Sequence, residues 1–175
     1  MPTPDRTSLG QIVDAGSAIL EYGGPAKLTM QAVAERVGVR APSLYKRVRD
    51  RDALLNLVAG AAADDLAARL AASDGSLTGL ARAYRSFAQD RPEGFRLMFA
   101  VDGAADAMAR ASDPLLRATR ELVGEDAALD AARLLTAWAT GFINMELSGS
   151  FRFDGHLDRA FEYGLERLTA GLRAP

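Results

Sequence analysis

Residues 28–55 read LTMQAVAERVGVRAPSLYKRVRDRDALL, and the periodicity of this stretch decides the fold. Thr29 is a good helix N-cap, because its hydroxyl accepts an otherwise orphaned N–H of the first turn, and it predicts a short second helix over MQAVAERV. Val33 and Val37 lie four apart on one face of that helix. Gly38 then interrupts it with a residue free to take a positive φ. Pro42 sits near the first turn of a third helix, where a missing N–H costs nothing, and Leu44 and Val48 form another inward-facing i, i+4 pair. Asp50 caps a fourth helix that opens RDALLNLV and is predicted to run to about Ala72. With Val39, these apolar residues lock the second and third helices at a steep angle across a glycine turn, which is the helix-turn-helix pattern.

Charge is gathered in the same place. The chain carries a formal net charge of -2, yet six basic residues stand against the single acid Asp50 between Arg36 and Arg51. Residues 1–58 hold eight Lys/Arg and six Asp/Glu, a net of +2, and residues 59–175 hold thirteen and seventeen, a net of -4. A basic patch on an acidic chain points to a polyanion partner for that end only. Locking the two helices together leaves Arg40, Ala41, Ser43, Lys46 and Arg47 on the outer side of the third. Small residues let its N-terminal end sink into a major groove, where Lys46 or Arg40 reaches guanine O6 and N7. Tyr45, Arg47, Arg49, Arg51 and the Thr29 cap suit phosphate oxygens, which set register without reading sequence; Gln31 and Pro42 complete the predicted contact set.

Helix signals dominate the remainder, so the chain is predicted to be all-α, with about nine helices and no sheet. Ser8 caps a first helix to about Tyr22, with Leu9, Ile12, Val13, Ala15, Ile19 and Leu20 on its buried stripe, and Gly23-Gly24-Pro25 stops it. Beyond a loop at 73–76, helices are predicted over 77–90, from Pro92 through Phe99, from Pro114 to near Gly124, from Ala127 to about Ser150 and over 157–172. Residues 102–112 are ambiguous. The expected domains are a helix-turn-helix unit over 1–50 and a ligand-binding and dimerisation unit over 51–175, connected by helix 51–72. No stretch approaches the ~18 apolar residues of a membrane span, and the N-terminus MPTPDRTS has no apolar core of a signal peptide, so no membrane partner is expected. The absence of cysteine removes disulfides and thiolate chemistry, and it fits a cytoplasmic location.

The stretch 28–55 resembles the DNA-binding region of the TetR family of bacterial transcriptional repressors. The likeness lies in LT at the second helix, VA-x-x-x-GV over 33–39, PSLY over 42–45 and R-x-x-L-L over 51–55. It departs at Arg47-Val48, where many members carry an aromatic or histidine followed by Phe. WATGFINMELSG (138–149) is loosely similar to regulatory domains with an HG pair, Thr140 standing where that histidine would be. The resemblance implies operator DNA as partner, a homodimer, and a small, mainly apolar effector bound in the C-terminal half. Tyr84, Phe87, Met98, Phe99, Trp138, Phe142 and Met145 are the expected effector residues, read against the plainer alternative that they are core.

The expected dimer contact comes from the last two helices, through Leu157, Ala160, Phe161, Gly164 and Leu168 with Gly149. An apolar stripe there runs beside small residues that permit close approach, read against the plainer alternative that these residues pack within one chain. Two other classes compete with a ligand-responsive DNA-binding repressor. A helical-bundle enzyme would need a nucleophile–base pair, metal cluster or phosphate loop. The lone His156, beside Asp154 and Asp158, scarcely supplies one, so no catalytic residue, metal or cofactor is expected. An interaction module without DNA affinity would need the basic third helix to be buried or spare.

Overall fold

A computed structural model describes residues 7–173. Among these there are nine α-helices and no strand. They are α1 (Leu9–Gly23), α2 (Met30–Arg36), α3 (Ala41–Leu44), α4 (Arg51–Ala71), α5 (Leu77–Asp90), α6 (Pro92–Met98), α7 (Ala105–Val123), α8 (Glu125–Leu147) and α9 (Leu157–Arg173), with one 3-10 turn at Asp102–Ala104.

Local chemistry accounts for both ends of α1, the starts of α2 and α4, and the turn between α2 and α3. Ser8 and Gln11 form a capping box on α1: the Gln11 N–H donates to Ser8 Oγ at 3.1 Å, and the Ser8 N–H to Gln11 Oε1 at 2.8 Å. Gly24, with φ 71°, ends the helix by donating its N–H to Leu20 O at 2.7 Å. Thr29 Oγ1 accepts the Ala32 N–H at 3.1 Å to start α2, and Asp50 Oδ1 accepts that of Ala53 at 2.8 Å to start α4. Between α2 and α3 the chain turns at Gly38, with φ 72°.

The chain forms two compact units. One comprises the described residues up to Asp65 together with Arg91–Met108; the other comprises Leu66–Asp90 together with the described residues from Ala109 on. The first unit is therefore larger than the segment 1–50 expected from sequence. It keeps most of α4 and adds α6 and the 3-10 turn, and hydrogen bonds show why. Glu21 on α1 accepts the N–H groups of Glu93 (3.1 Å) and Gly94 (2.8 Å), the first orphan donors of α6, and Asn56 on α4 accepts the Gly103 N–H at 2.7 Å. Its core holds Ile12, Leu20, Leu28, Val33, Leu44, Val48, Leu54, Val58 and Phe95, all essentially inaccessible. Gly16 permits the close approach of α1 to α4, since a Cβ there would stand 2.9 Å from Val58 Cγ2. In the second unit α5, α8 and α9 pack on one another around Phe87, Ile143, Phe161 and Leu165.

Two local expectations are corrected. Pro114 does not open a helix; it lies inside α7, which begins at Ala105. A proline removes one N–H and crowds the preceding turn, but the alanine-rich stretch before it, with Ala107 and Ala111 buried four apart, carries the helix through. Leu9, expected on the buried stripe of α1, is 41% exposed at the first position of that helix. Among the described residues, no helix is long and apolar enough to cross a membrane.

Candidate functional site

The third helix is a single turn, Ala41–Leu44, continued by a turn through Arg47. Leu44 and Val48 are buried to within one per cent and fix this segment against Val33 and the rest of the first unit's core. Anchoring those two side chains turns their neighbours outward. Arg40, Pro42, Ser43, Tyr45, Lys46 and Arg47 are all exposed, with Tyr45 at 55%, and Ala41 is partly covered. Arg40 occupies the N-cap position of α3 without a side-chain cap bond, so its guanidinium is not used to close the helix. On α2, Gln31 is exposed and donates to Glu35 Oε1 at 2.6 Å, while Thr29 uses its hydroxyl oxygen as the cap acceptor. Nine of the eleven residues predicted to face DNA are exposed, and Thr29 and Ala41 are partly so.

The two arginines at the start of α4 differ from each other. Arg49 is exposed and pairs through Nε with Asp50 Oδ2 at 2.7 Å. The Ala53 N–H and then the Arg49 guanidinium hold the Asp50 carboxyl below the usual carboxylate range. Arg51, predicted as a phosphate contact, instead turns its fork onto the protein: Nε donates to Leu28 O at 2.9 Å and Nη2 to Pro25 O at 2.5 Å. An open groove of about 900 Å³ lies alongside, with Leu9, Val13, Val48 and Leu57 on its apolar part and Arg47, Arg49, Asp52 and Asp64 among its charged residues.

The residues expected to line an effector site divide between the units. Met98, buried, and Phe99, half-exposed, belong to the first; Tyr84, Phe87, Trp138, Phe142 and Met145 belong to the second. There Phe87 is fully buried with the Arg69 guanidinium 5.4 Å from its ring centroid, and Met145 is 45% exposed. Trp138 stacks on Phe161 at 5.0 Å, and Phe142 meets Phe161 at 5.2 Å and Phe151 at 4.9 Å. The Tyr84 and Thr140 hydroxyls share a hydrogen bond of 2.8 Å, and burial pushes the Tyr84 phenol up to about 12. A second groove of about 590 Å³, lined by Leu122, Val123, Leu134 and Leu172, contains none of the seven predicted residues.

Two of the six expected dimer residues point into their own chain. Phe161 is completely buried in the aromatic cluster, and a Cβ on Gly164 would stand 2.5 Å from Trp138 Cζ2. Of the apolar stripe of α9, Phe161 and Leu165 are buried, on a helix that packs against α8 and α5 of the same unit. Ala160 and Gly149 are exposed, and Leu157 and Leu168 are partly so.

One constellation had no sequence signal. Arg85, only 8% exposed, reaches Glu146 with Nε at 2.8 Å and Nη2 at 2.6 Å, and Asp158 with Nη2 at 2.8 Å. Its guanidinium lies 4.9 Å from the Phe161 ring centroid. Hydrogen bonding from Arg85 holds the Glu146 carboxyl down, against the opposing effect of burial. The ends of α8 and α9 are joined to α5 by this network. Among the described residues no group of three metal-ligating side chains exists, and His156 is exposed.

Similarity to known proteins agrees with this geometry. The model for bacterial regulatory proteins of the tetR family matches residues 12–58, and that for the tetracyclin repressor-like C-terminal domain matches residues 77–168. An uncharacterised HTH-type transcriptional regulator of Mycobacterium tuberculosis, Rv0681, is 27% identical over 97% of this chain and 83% of its own length. The crystal structure of Mycobacterium smegmatis BioQ superposes with a TM-score of 0.74 at 26% identity, covering 95% of this chain and 98% of that one. A variant of TetR from Acinetobacter baumannii in complex with minocycline superposes at 0.72 with 23% identity, covering 97% and 99%, a likeness of fold. With both halves matched and the helix-turn-helix in place, the chain belongs to the TetR family, whose members are transcription factors rather than enzymes.

Proposed function

We propose that this regulator is a homodimeric, cytoplasmic repressor that leaves its operator when a small, mainly apolar effector binds. The observation that carries the reading is the anchoring of Leu44 and Val48, which exposes Arg40, Ser43, Tyr45, Lys46 and Arg47 together. Arg40 and Lys46 read base edges past the small Ala41 and Ser43, while Thr29, Gln31, Tyr45, Arg47 and Arg49 hold phosphates.

The dimer is formed by the outer faces of α8 and α9. Leu134 (46% exposed), Ala137, Gly141 and Met145 recur at helical spacing on one side of α8, and Ala160, Tyr163 and Gly171 on one side of α9. A two-fold four-helix contact covers both rows and sets two reading heads about 34–36 Å apart, one helical turn of DNA. The effector is taken up in the second unit beside Tyr84, Trp138 and Phe142, where the Tyr84–Thr140 pair offers a neutral polar anchor in apolar surroundings. The ligand-bound state of a structural neighbour supports an effector of small-molecule size. A 100-fold loss of operator affinity requires roughly 2.7 kcal/mol of coupling between the two sites.

Selection of bound sequences from a random DNA pool tests the reading. The wild-type chain is expected to recover a palindromic site, and Lys46→Ala to bind with altered sequence preference. Recovery of no site would refute a DNA-binding role, and an unchanged site would remove Lys46 from base reading.

A further inference from the structure

We infer that Arg51 is a positioning residue that sets the start of α2 through the α1–α2 turn, rather than a contact to DNA. The inference rests on the DNA-binding reading above. Arg51 is exposed at the first position of α4, where its charge alone would suit a phosphate. The direction of its N–H groups says otherwise. Nε and Nη2 are committed to Leu28 O (2.9 Å) and Pro25 O (2.5 Å), carbonyls 23 and 26 residues earlier in the chain.

Those two carbonyls bracket the turn that ends one residue before the α2 cap. Leu28, fully buried, is followed at once by Thr29, whose hydroxyl caps α2, and then by Gln31. The turn also carries two backbone bonds of its own, Lys27 N–H to Gly24 O at 3.1 Å and Leu28 N–H to Pro25 O at 3.2 Å. A guanidinium is suited to this work because it presents separate donors in a rigid fork, and two carbonyls held by one fork cannot move apart. The start of α4 and the start of α2 are thereby held in one geometry, and Thr29 and Gln31 are presented together with the α3 face. Arg49, two residues away and paired only with its neighbour Asp50 among the bonds described for it, has no such role.

Lysine distinguishes the two readings, because it keeps the charge and ends in a single nitrogen. Arg51→Lys is expected to bind the selected DNA about tenfold more weakly, the effect of one lost hydrogen bond from a charged donor. Arg82→Lys, the same change at an exposed fork on α5 that pairs with Glu162, is expected to stay within about twofold of wild type. Because Arg51 acts through the first turn of α2, its effect is expected to be less than additive with Gln31→Ala. Amide hydrogen exchange of the free protein supplies an arm that needs no DNA: Arg51→Lys is expected to speed exchange at Leu28 and in the first turn of α2 while leaving α8 unchanged. Wild-type affinity in Arg51→Lys, full additivity with Gln31→Ala, or unaltered exchange at 28–32 would each overturn the inference. Failure of the wild-type chain to bind DNA would instead refute the functional reading and leave the exchange result to judge Arg51.

Discussion

Gly164→Ala is the sharpest test of how α8 and α9 meet. An added Cβ stands 2.5 Å from Trp138 Cζ2, 3.0 Å from Cε2 and 3.2 Å from Nε1. Carbon–carbon contacts are comfortable at roughly 3.5–4.0 Å, so the indole would have to retreat by about 1 Å. It has little freedom to do so, being stacked on Phe161 with planes 27° apart and tilted against Phe142 at 6.1 Å. Overpacking of this kind costs about 1–3 kcal/mol, and alanine returns up to about 1 kcal/mol through its better helix propensity. A net loss of about 1 kcal/mol follows, seen as a fall of roughly 2–4 °C in melting temperature for a chain of this size. Thermal and urea unfolding, followed by far-ultraviolet circular dichroism, measure it. The same substitution in a Trp138→Leu background removes the clash, so the sign should reverse and Gly164→Ala should stabilise. A Gly164→Ala protein no less stable than its parent in both backgrounds would refute the packing, and would return Gly164 to the set of residues available to a partner chain.

Three further outcomes are expected. Arg85→Met keeps the apolar stem over Phe161 but leaves the Glu146 carboxylate, 14% exposed, without its cation, a change worth about 3–5 kcal/mol at pH 7; Arg85→Met with Glu146→Leu should recover most of it in urea unfolding. The Glu146 pKa is depressed in the folded state, so the stability it contributes is present above its ordinary value of 4.5 and is lost as pH falls through the lower folded value; the gap between wild type and Arg85→Met should therefore narrow in acid, and a gap constant down to pH 3 would contradict the pairing. Gly141→Arg has open space around it within its own chain, so it should fold normally yet sediment as a monomer, whereas a mutant as dimeric as wild type would remove Gly141 from the interface.

How much was legible follows from the range of each interaction. Ser8, Thr29 and Asp50 act on N–H groups three residues away, Gly24 and Gly38 act through their own φ, and Leu44 and Val48 are one helical turn apart. Such short-range chemistry is written in consecutive residues, so the helix-turn-helix and its outward basic face were determined by the sequence itself. Tertiary structure decided what happens when distant elements compete for one side chain. Arg51 has the charge of a phosphate contact, but carbonyls 23 and 26 residues earlier capture it. Phe161 and Gly164 fit a surface stripe as well as a core stripe, and Trp138 and Phe142 settle the matter by packing against that side of α9. Arg85 carries no local pattern because its carboxylate partner Glu146 is 61 residues away. Helix formation depends on caps and spacing within a few residues, whereas the direction a helix face points depends on burying apolar area against whatever the rest of the chain brings beside it.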